Sequence, residues 1–293
     1  MEKGILSMEK KKIYSFLAVS ALATSLAACG AEEEDNTTST DDGDEQVEET
    51  TITVGASYGL HDIILEEAAP ILAEEGITLE VEPYQDYILP NQDLENGDLD
   101  ANYFQHIPYL NNQIKEFGYD FVSIGGVHVE PMAIYSKKYE SIDEIPEGGT
   151  IIMSNSVAEQ GRVLSLLEAS GLIKLDPAVT KSEAVLDDIV ENPKNLVIEA
   201  EASPEMLVTF YNNEEGDAVV INSNFAIDAG INPVDESIAI EGGASEYVNV
   251  IATTKEKEND EALKRLVEVL QSDEIADFIL EEWDGAVVPV GKE

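Results

Sequence analysis

Apolar and polar residues alternate from Thr51 to Ala56, as one half-buried strand requires. After Gly59 the spacing changes. Ile64, Leu65, Ala68, Ile71 and Leu72 recur at helical intervals across His61 to Glu75, and Ile77 to Val81 returns to a strand pattern. This predicts a βαβ unit. Similar alternation predicts a helix over Ile107 to Phe117, strands at Phe121 to Ile124, Met132 to Tyr135 and Thr150 to Met153, and a helix over Ala158 to Ser170. Strands at Leu196 to Glu199 and Asp217 to Ile221, then helices over Asp260 to Leu270 and Asp273 to Glu281, close the chain. The class is α/β. Around Asp100 to His106 polar residues interleave with rings, and the pattern predicts a chain turn. The body from Thr51 onward is long for one core and suits two lobes of roughly 120 residues each.

The chain opens differently. Lys10, Lys11 and Lys12 precede an apolar run from Ile13 to Ala28 that no acidic residue interrupts, so residues 1–28 read as an export signal, with Met8 the expected initiator. The run is short for a membrane span. It ends in Leu26-Ala27-Ala28-Cys29, which resembles the lipobox of bacterial lipoproteins, where a diacylglycerol is attached to the thiol and the peptide is cut just before it. Cys29 is the one cysteine in the chain, so an internal disulfide is excluded. Gly30 to Thr50 holds ten acidic residues and no basic residue, proline or aromatic, so residues 29–50 are expected to form a disordered acidic tether. The expected location is extracytoplasmic, anchored to the cell membrane through lipidated Cys29.

A formal charge of −45 changes the list of partners more than it changes the fold. Such a surface repels nucleic acid and anionic membranes, and it suits salty or alkaline surroundings.

Three segments carry candidate ligand chemistry, because ligands of open α/β sheets lie beyond the carboxyl ends of strands. The first runs from Ile151 to Arg162, leaving a strand through small polar residues and entering a helix. Its Arg162 could hold a carboxylate bidentately, or could form an ordinary internal salt bridge in so acidic a chain. The second is Asp100 to His106, preceded by Tyr84 and Tyr87, which reads either as a pocket wall or as aromatic core. The third is Val219 to Phe225, where a buried strand ends in Asn222 and Asn224; asparagine can offer donor and acceptor to an amino acid, and a plain turn fits nearly as well.

Asp100 to Pro108 (DANYFQHIP), Val129 to Lys138 (VEPMAIYSKK), Asp188 to Leu196 (DIVENPKNL), Val220 to Phe225 (VINSNF) and Gly285 to Pro289 (GAVVP) occur in that order. Together they resemble the methionine-binding lipoproteins of the NlpA family, the capture subunits of methionine ABC importers. The resemblance implies a type II periplasmic-binding-protein fold, two α/β lobes joined by a two-crossover hinge. It implies that residues 51–132 and 241–293 build one lobe and 133–240 the other, with the ligand enclosed between them. It assigns Arg162 to the ligand carboxylate, and Tyr87, Phe104 and His106 to the side-chain pocket. Asn222, Asn224 and Glu130 complete the expected set. One position departs from the family pattern: Glu159 stands where the family reads asparagine, three residues before Arg162. That carboxylate is expected to meet either the ligand amine or Arg162 itself. The implied partners are a methionine-like ligand and the permease and ATPase subunits of an importer, with no cofactor.

Two rival functions find less support in the residues. Zinc or manganese capture needs at least three converging ligands, and His61, His106 and His128 lie in separate segments. An enzyme is disfavoured because no nucleophile-elbow, zinc-protease, thioredoxin-like or P-loop motif occurs.

Overall fold

The computed structural model describes residues 49–242 and 247–291. The export signal, Cys29 and the tether as far as residue 48 lie outside the described residues.

The first strand, β1 (Thr50–Ser57), begins one residue inside the expected tether and leads through α1 (His61–Ala73) to β2 (Ile77–Tyr84). β1 and β2 pair in parallel from Thr50↔Ile77 to Ser57↔Tyr84, which is the predicted βαβ unit. The helix α2 (Leu89–Asn96), unforeseen in the sequence, precedes β3 (Ala101–His106), α3 (Ile107–Phe117) and β4 (Phe121–Val129). The chain then runs into β5 (Ala133–Tyr135), β6 (Thr150–Ser154), α4 (Val157–Ala169) and a short pair, β7 (Lys174–Leu175) and β8 (Ile189–Glu191). It continues through β9 (Val197–Ala202), α5 (Leu207–Asn212), β10 (Ala218–Ile221), α6 (Ser223–Asp228) and β11 (Ser237–Ile240). Last come β12 (Val248–Thr254), α7 (Glu261–Leu270), α8 (Asp273–Trp283) and β13 (Val288–Pro289).

The strands divide between two main sheets. One is ordered β13-β4-β12-β3-β1-β2 and the other β11-β5-β10-β6-β9. The chain passes from the first sheet to the second between β4 and β5, and back again between β11 and β12. Each sheet has its own apolar core. Ile64, Leu65 and Leu72 of α1 pack with Leu263 and Leu266 of α7 on the first, and Val163, Leu164 and Leu167 of α4 pack with Ile151 and Met153 on the second.

The turn expected at Asp100 to His106 is instead a central strand, buried along its whole length between β1 and β12. Its polar side chains hid it, because a strand buried on both faces normally reads as an apolar run. They are satisfied internally. Asn102 Nδ2 and Gln105 Nε2 both donate to Asn91 Oδ1 at 2.9 Å, and Gln105 Nε2 donates to Asn102 Oδ1 at 2.8 Å. The pairing with β12 skips Phe104, a bulge that lets Asn102 and Gln105 meet on one side.

Candidate ligand-binding site

The crossover between the sheets carries Glu130, and the two cores bring helix N-termini and strand ends around it. α3 is capped by the His106 side chain, whose Nδ1 accepts from Tyr109 N at 3.1 Å, with Pro108 in its first turn and left-handed Gly118 at its end. That cap leaves Nε2 as the protonated nitrogen of His106, facing Glu159 Oε1 from 3.8 Å, beyond hydrogen-bond reach. α4 is seated by Gly161: a Cβ there would stand 2.5 Å from the backbone carbonyl of Ser182, so only glycine lets the helix approach. The next residue is Arg162.

A cavity of about 410 Å³ of non-atom space, its mouth included, opens among these elements. Tyr87, Phe104 and Tyr109 make its aromatic wall, their centroids 6.0 to 6.1 Å apart. Glu159, Arg162, Asn222 and Asn224 line it too, and Glu130, His106 and Met132 complete it. All eight residues singled out in the sequence therefore border one space. Tyr84 does not; its hydroxyl donates to Asp93 of α2. Tyr109 was missed, although it follows Asp100 to Pro108 directly.

Arg162 is held on several sides. Nε and Nη2 donate to Glu241 Oε2 at 3.1 and 2.6 Å, Nη2 also donates to the Glu130 carbonyl at 2.6 Å, and the guanidinium lies 4.4 Å over the Tyr247 ring. The internal partner foreseen as Glu159 is thus Glu241, a residue that sequence reasoning passed over. Glu241 sits behind Arg162 rather than on the cavity wall. Its Oε2 also accepts from Met132 N at 3.2 Å, so the carboxylate ties both crossovers to α4.

Glu159 is held by Asn222 Nδ2, which donates to its Oε1. Oε2 of Glu159 and Oδ1 of Asn222 are buried without a hydrogen-bond partner among the described residues. Burial opposes ionisation of Glu159, and His106, Arg162 and Asn222 outweigh it, so its carboxyl lies below the ordinary range.

Glu130 is engaged by the protein itself. His61 Nε2 stands 3.2 Å and His128 Nε2 2.9 Å from its Oε1, and its Oε2 accepts from Asn224 N at 3.0 Å. Tyr103 donates to His128 Nδ1, which leaves Nε2–H for Glu130. Burial pushes His61 down to about 4, so at neutral pH it meets Glu130 as a neutral donor. Burial works against the Glu130 charge too, but His61, His128 and Arg162 prevail and hold it to about 2. Separate segments thus do converge. His61, His128 and Glu130 are the group among the described residues whose donor atoms could surround a metal ion, lying within 4.8 Å of one another.

The NlpA lipoprotein family model matches residues 52–291. The methionine-binding lipoprotein MetQ of Bacillus subtilis is 44% identical over 284 residues, which is 96% of this chain and 100% of that protein. A lipoprotein of the YaeC family from Enterococcus faecalis, described as a pheromone cOB1 precursor, superposes with a TM-score of 0.81 at 51% identity over 82% of this chain and 100% of its own. A nutrient-binding protein from Burkholderia cenocepacia, solved bound to methionine, gives a TM-score of 0.77 at 36% identity over 82% of this chain and 99% of its own. The fold is that of type II periplasmic binding proteins, two α/β lobes with two crossovers, and metal capture is not favoured by these likenesses. A match that spans both sheets and both crossovers makes this chain a member of the NlpA lipoprotein family.

Proposed function

We propose that this protein captures methionine, or an amino acid close to it, between its lobes and presents it to the permease and ATPase subunits of an ABC importer. The observation that carries the reading is the meeting of aromatic faces and zwitterion-binding groups in one cavity. Tyr87, Phe104 and Tyr109 offer aromatic faces on which a thioether gains about 0.3 to 1.5 kcal/mol per contact. The same cavity is lined by Arg162 and Glu159 with Asn222, charged and polar groups suited to a zwitterion. The methionine bound by the Burkholderia relative supports the same ligand class.

Each of the eight residues then has a role. Tyr87, Phe104 and His106 enclose the side chain, Arg162 meets the carboxylate, Glu159, Asn222 and Asn224 meet polar atoms, and Glu130 holds the crossover in register with both lobes. The division of strands between the sheets supports a lobe of residues 51–132 and 241–293 and a second of 133–240. Capture and release, rather than turnover, is the work of such a site. The lipid on Cys29 would keep the protein outside the cytoplasm and at the membrane where its importer lies.

Mass spectrometry of the small molecule released on denaturing freshly purified protein tests the ligand class, followed by calorimetric titration with L- and D-methionine. Methionine or a thioether relative should be recovered and should bind; an unrelated molecule, with no methionine binding, would overturn the reading. Replacing Cys29 by Ser should release the protein from membranes, and normal processing and retention of that variant would remove the proposed anchor.

A further inference from the structure

Two buried acceptors face the cavity with nothing to accept from. Glu159 is 2% exposed and Asn222 7%, and each uses one arm of its terminal group on the other: Asn222 Nδ2 donates to Glu159 Oε1. The remaining arms, Glu159 Oε2 and Asn222 Oδ1, have no donor among the described residues. Rotating the Asn222 amide does not relieve this, since it would set an amide oxygen against the Glu159 carboxylate. An unsatisfied buried acceptor is costly, and an unneutralised buried carboxylate more so.

The charge balance around the cavity points the same way. Arg162 is matched from behind by Glu241, and Glu130 is met by His61, His128 and the Asn224 amide. His106 stays 3.8 Å from Glu159. Both oxygens of Glu130 thus have donors, and Glu159 is the cavity-lining carboxylate left with an open oxygen and no cation within hydrogen-bond reach. A group that answers both open acceptors must carry at least two N–H donors and a positive charge, and a primary ammonium does so.

We infer that Glu159 Oε2 and Asn222 Oδ1 form a primary-ammonium subsite, and that this protein recognises its ligand first by its free amine and less by its carboxylate. The inference rests on the amino-acid reading above and makes it narrower. Arg162 adds little charge for a ligand carboxylate, because Glu241 already neutralises it through Nε and Nη2. Ligands with a free amine and a masked carboxylate should be retained, and ligands with a blocked amine should be refused.

The test uses methionine, its decarboxylated amine and its deaminated acid, titrated calorimetrically into the mature protein after bound ligand has been removed. The amine probe should bind within about tenfold of methionine, and the deaminated acid should lose about a hundredfold or more, as sites built around a donor reject analogues that lack it. Glu159→Gln should weaken methionine and the amine probe by roughly 10- to 100-fold and leave the acid probe within about threefold. Thermal melts would confirm that the variant folds, and the comparison of probes on the unaltered protein decides the matter without it. Tighter binding of the acid probe, or a Glu159→Gln protein that holds the amine probe unchanged, would overturn the subsite. Those results with methionine still bound would leave the functional reading standing, whereas methionine failing to bind at all would overturn that reading instead.

Discussion

The Tyr87 hydroxyl donates to Asn224 Oδ1 over 2.6 Å, joining the segment that follows β2 of the first sheet to the first turn of α6, which follows β10 of the second. The ring of Tyr87 also lies 5.0 Å from that of Phe225. Tyr87→Phe keeps the ring contact and removes the bond, leaving Asn224 Oδ1 without its donor. The arrangement that this bond holds should lose about 1 kcal/mol, read as roughly fivefold weaker methionine binding by calorimetry. Equal affinity would show that ligand capture does not depend on this bond.

Arg162 and Glu241 should fail in different ways. Arg162→Ala bares the Glu241 carboxylate, whose charge then repels the ligand's own, so methionine binding should fall by about 2 to 5 kcal/mol although the intact pair adds little net charge, and the decarboxylated amine should be spared most of that loss. Glu241→Gln keeps the shape and strips the charge that steadies Arg162. Because Glu241 retains 20% exposure, the fold should lose about 2 kcal/mol, less than the about 3 to 5 of a fully buried pair. Urea unfolding measures the second effect, and unchanged stability would remove Glu241 from the role of holding Arg162.

Acid should loosen the crossover through His61. Its folded value of about 4 lies below its ordinary 6.5, so between these two the unfolded chain binds the extra proton. Stability from this group is complete above about pH 6.5 and falls as the pH drops toward 4, by on the order of 3 kcal/mol. Glu130, held to about 2, adds a further loss as the pH falls below the ordinary carboxylate range. Relief of self-repulsion among the surface carboxylates acts in the opposite direction. Comparison with His61→Gln cancels that common term: the stability gap between the two proteins should shrink from pH 7 to pH 4, and a constant gap would exclude His61 as the cause.

Gly161→Ala asks for a methyl group 2.5 Å from the backbone of Ser182 and 2.6 Å from the Lys181 carbonyl. Backbone cannot swing aside as a side-chain tip can. The variant should lose about 1 to 3 kcal/mol of stability and, with α4 displaced, should also bind methionine more weakly. A melting temperature within a degree or so of the unaltered protein would show that α4 is free to shift.

Local periodicity was enough for the βαβ unit and for α3, α4, α7 and α8, because helix caps and apolar spacing act over a few residues. Asp260 accepting from Ala262 N and Leu263 N is one such signal. The eight candidate residues were legible through segment resemblance, and the cavity gathers them. β3 was not legible, since its polar residues look exposed until Asn91, brought in by α2, satisfies them. β12 went unseen as well, although it fills the middle of the first sheet between β3 and β4. Nor could the sequence select Glu241 from among 61 acidic residues as the partner of Arg162, 79 positions away. His128 and Glu130 are neighbours along β4 and its exit, but His61 of α1 meets them only through packing. Spacing along a chain reports which face a residue occupies; which distant charge it meets is settled by packing, where the penalty for leaving a buried charge unpaired selects the arrangement.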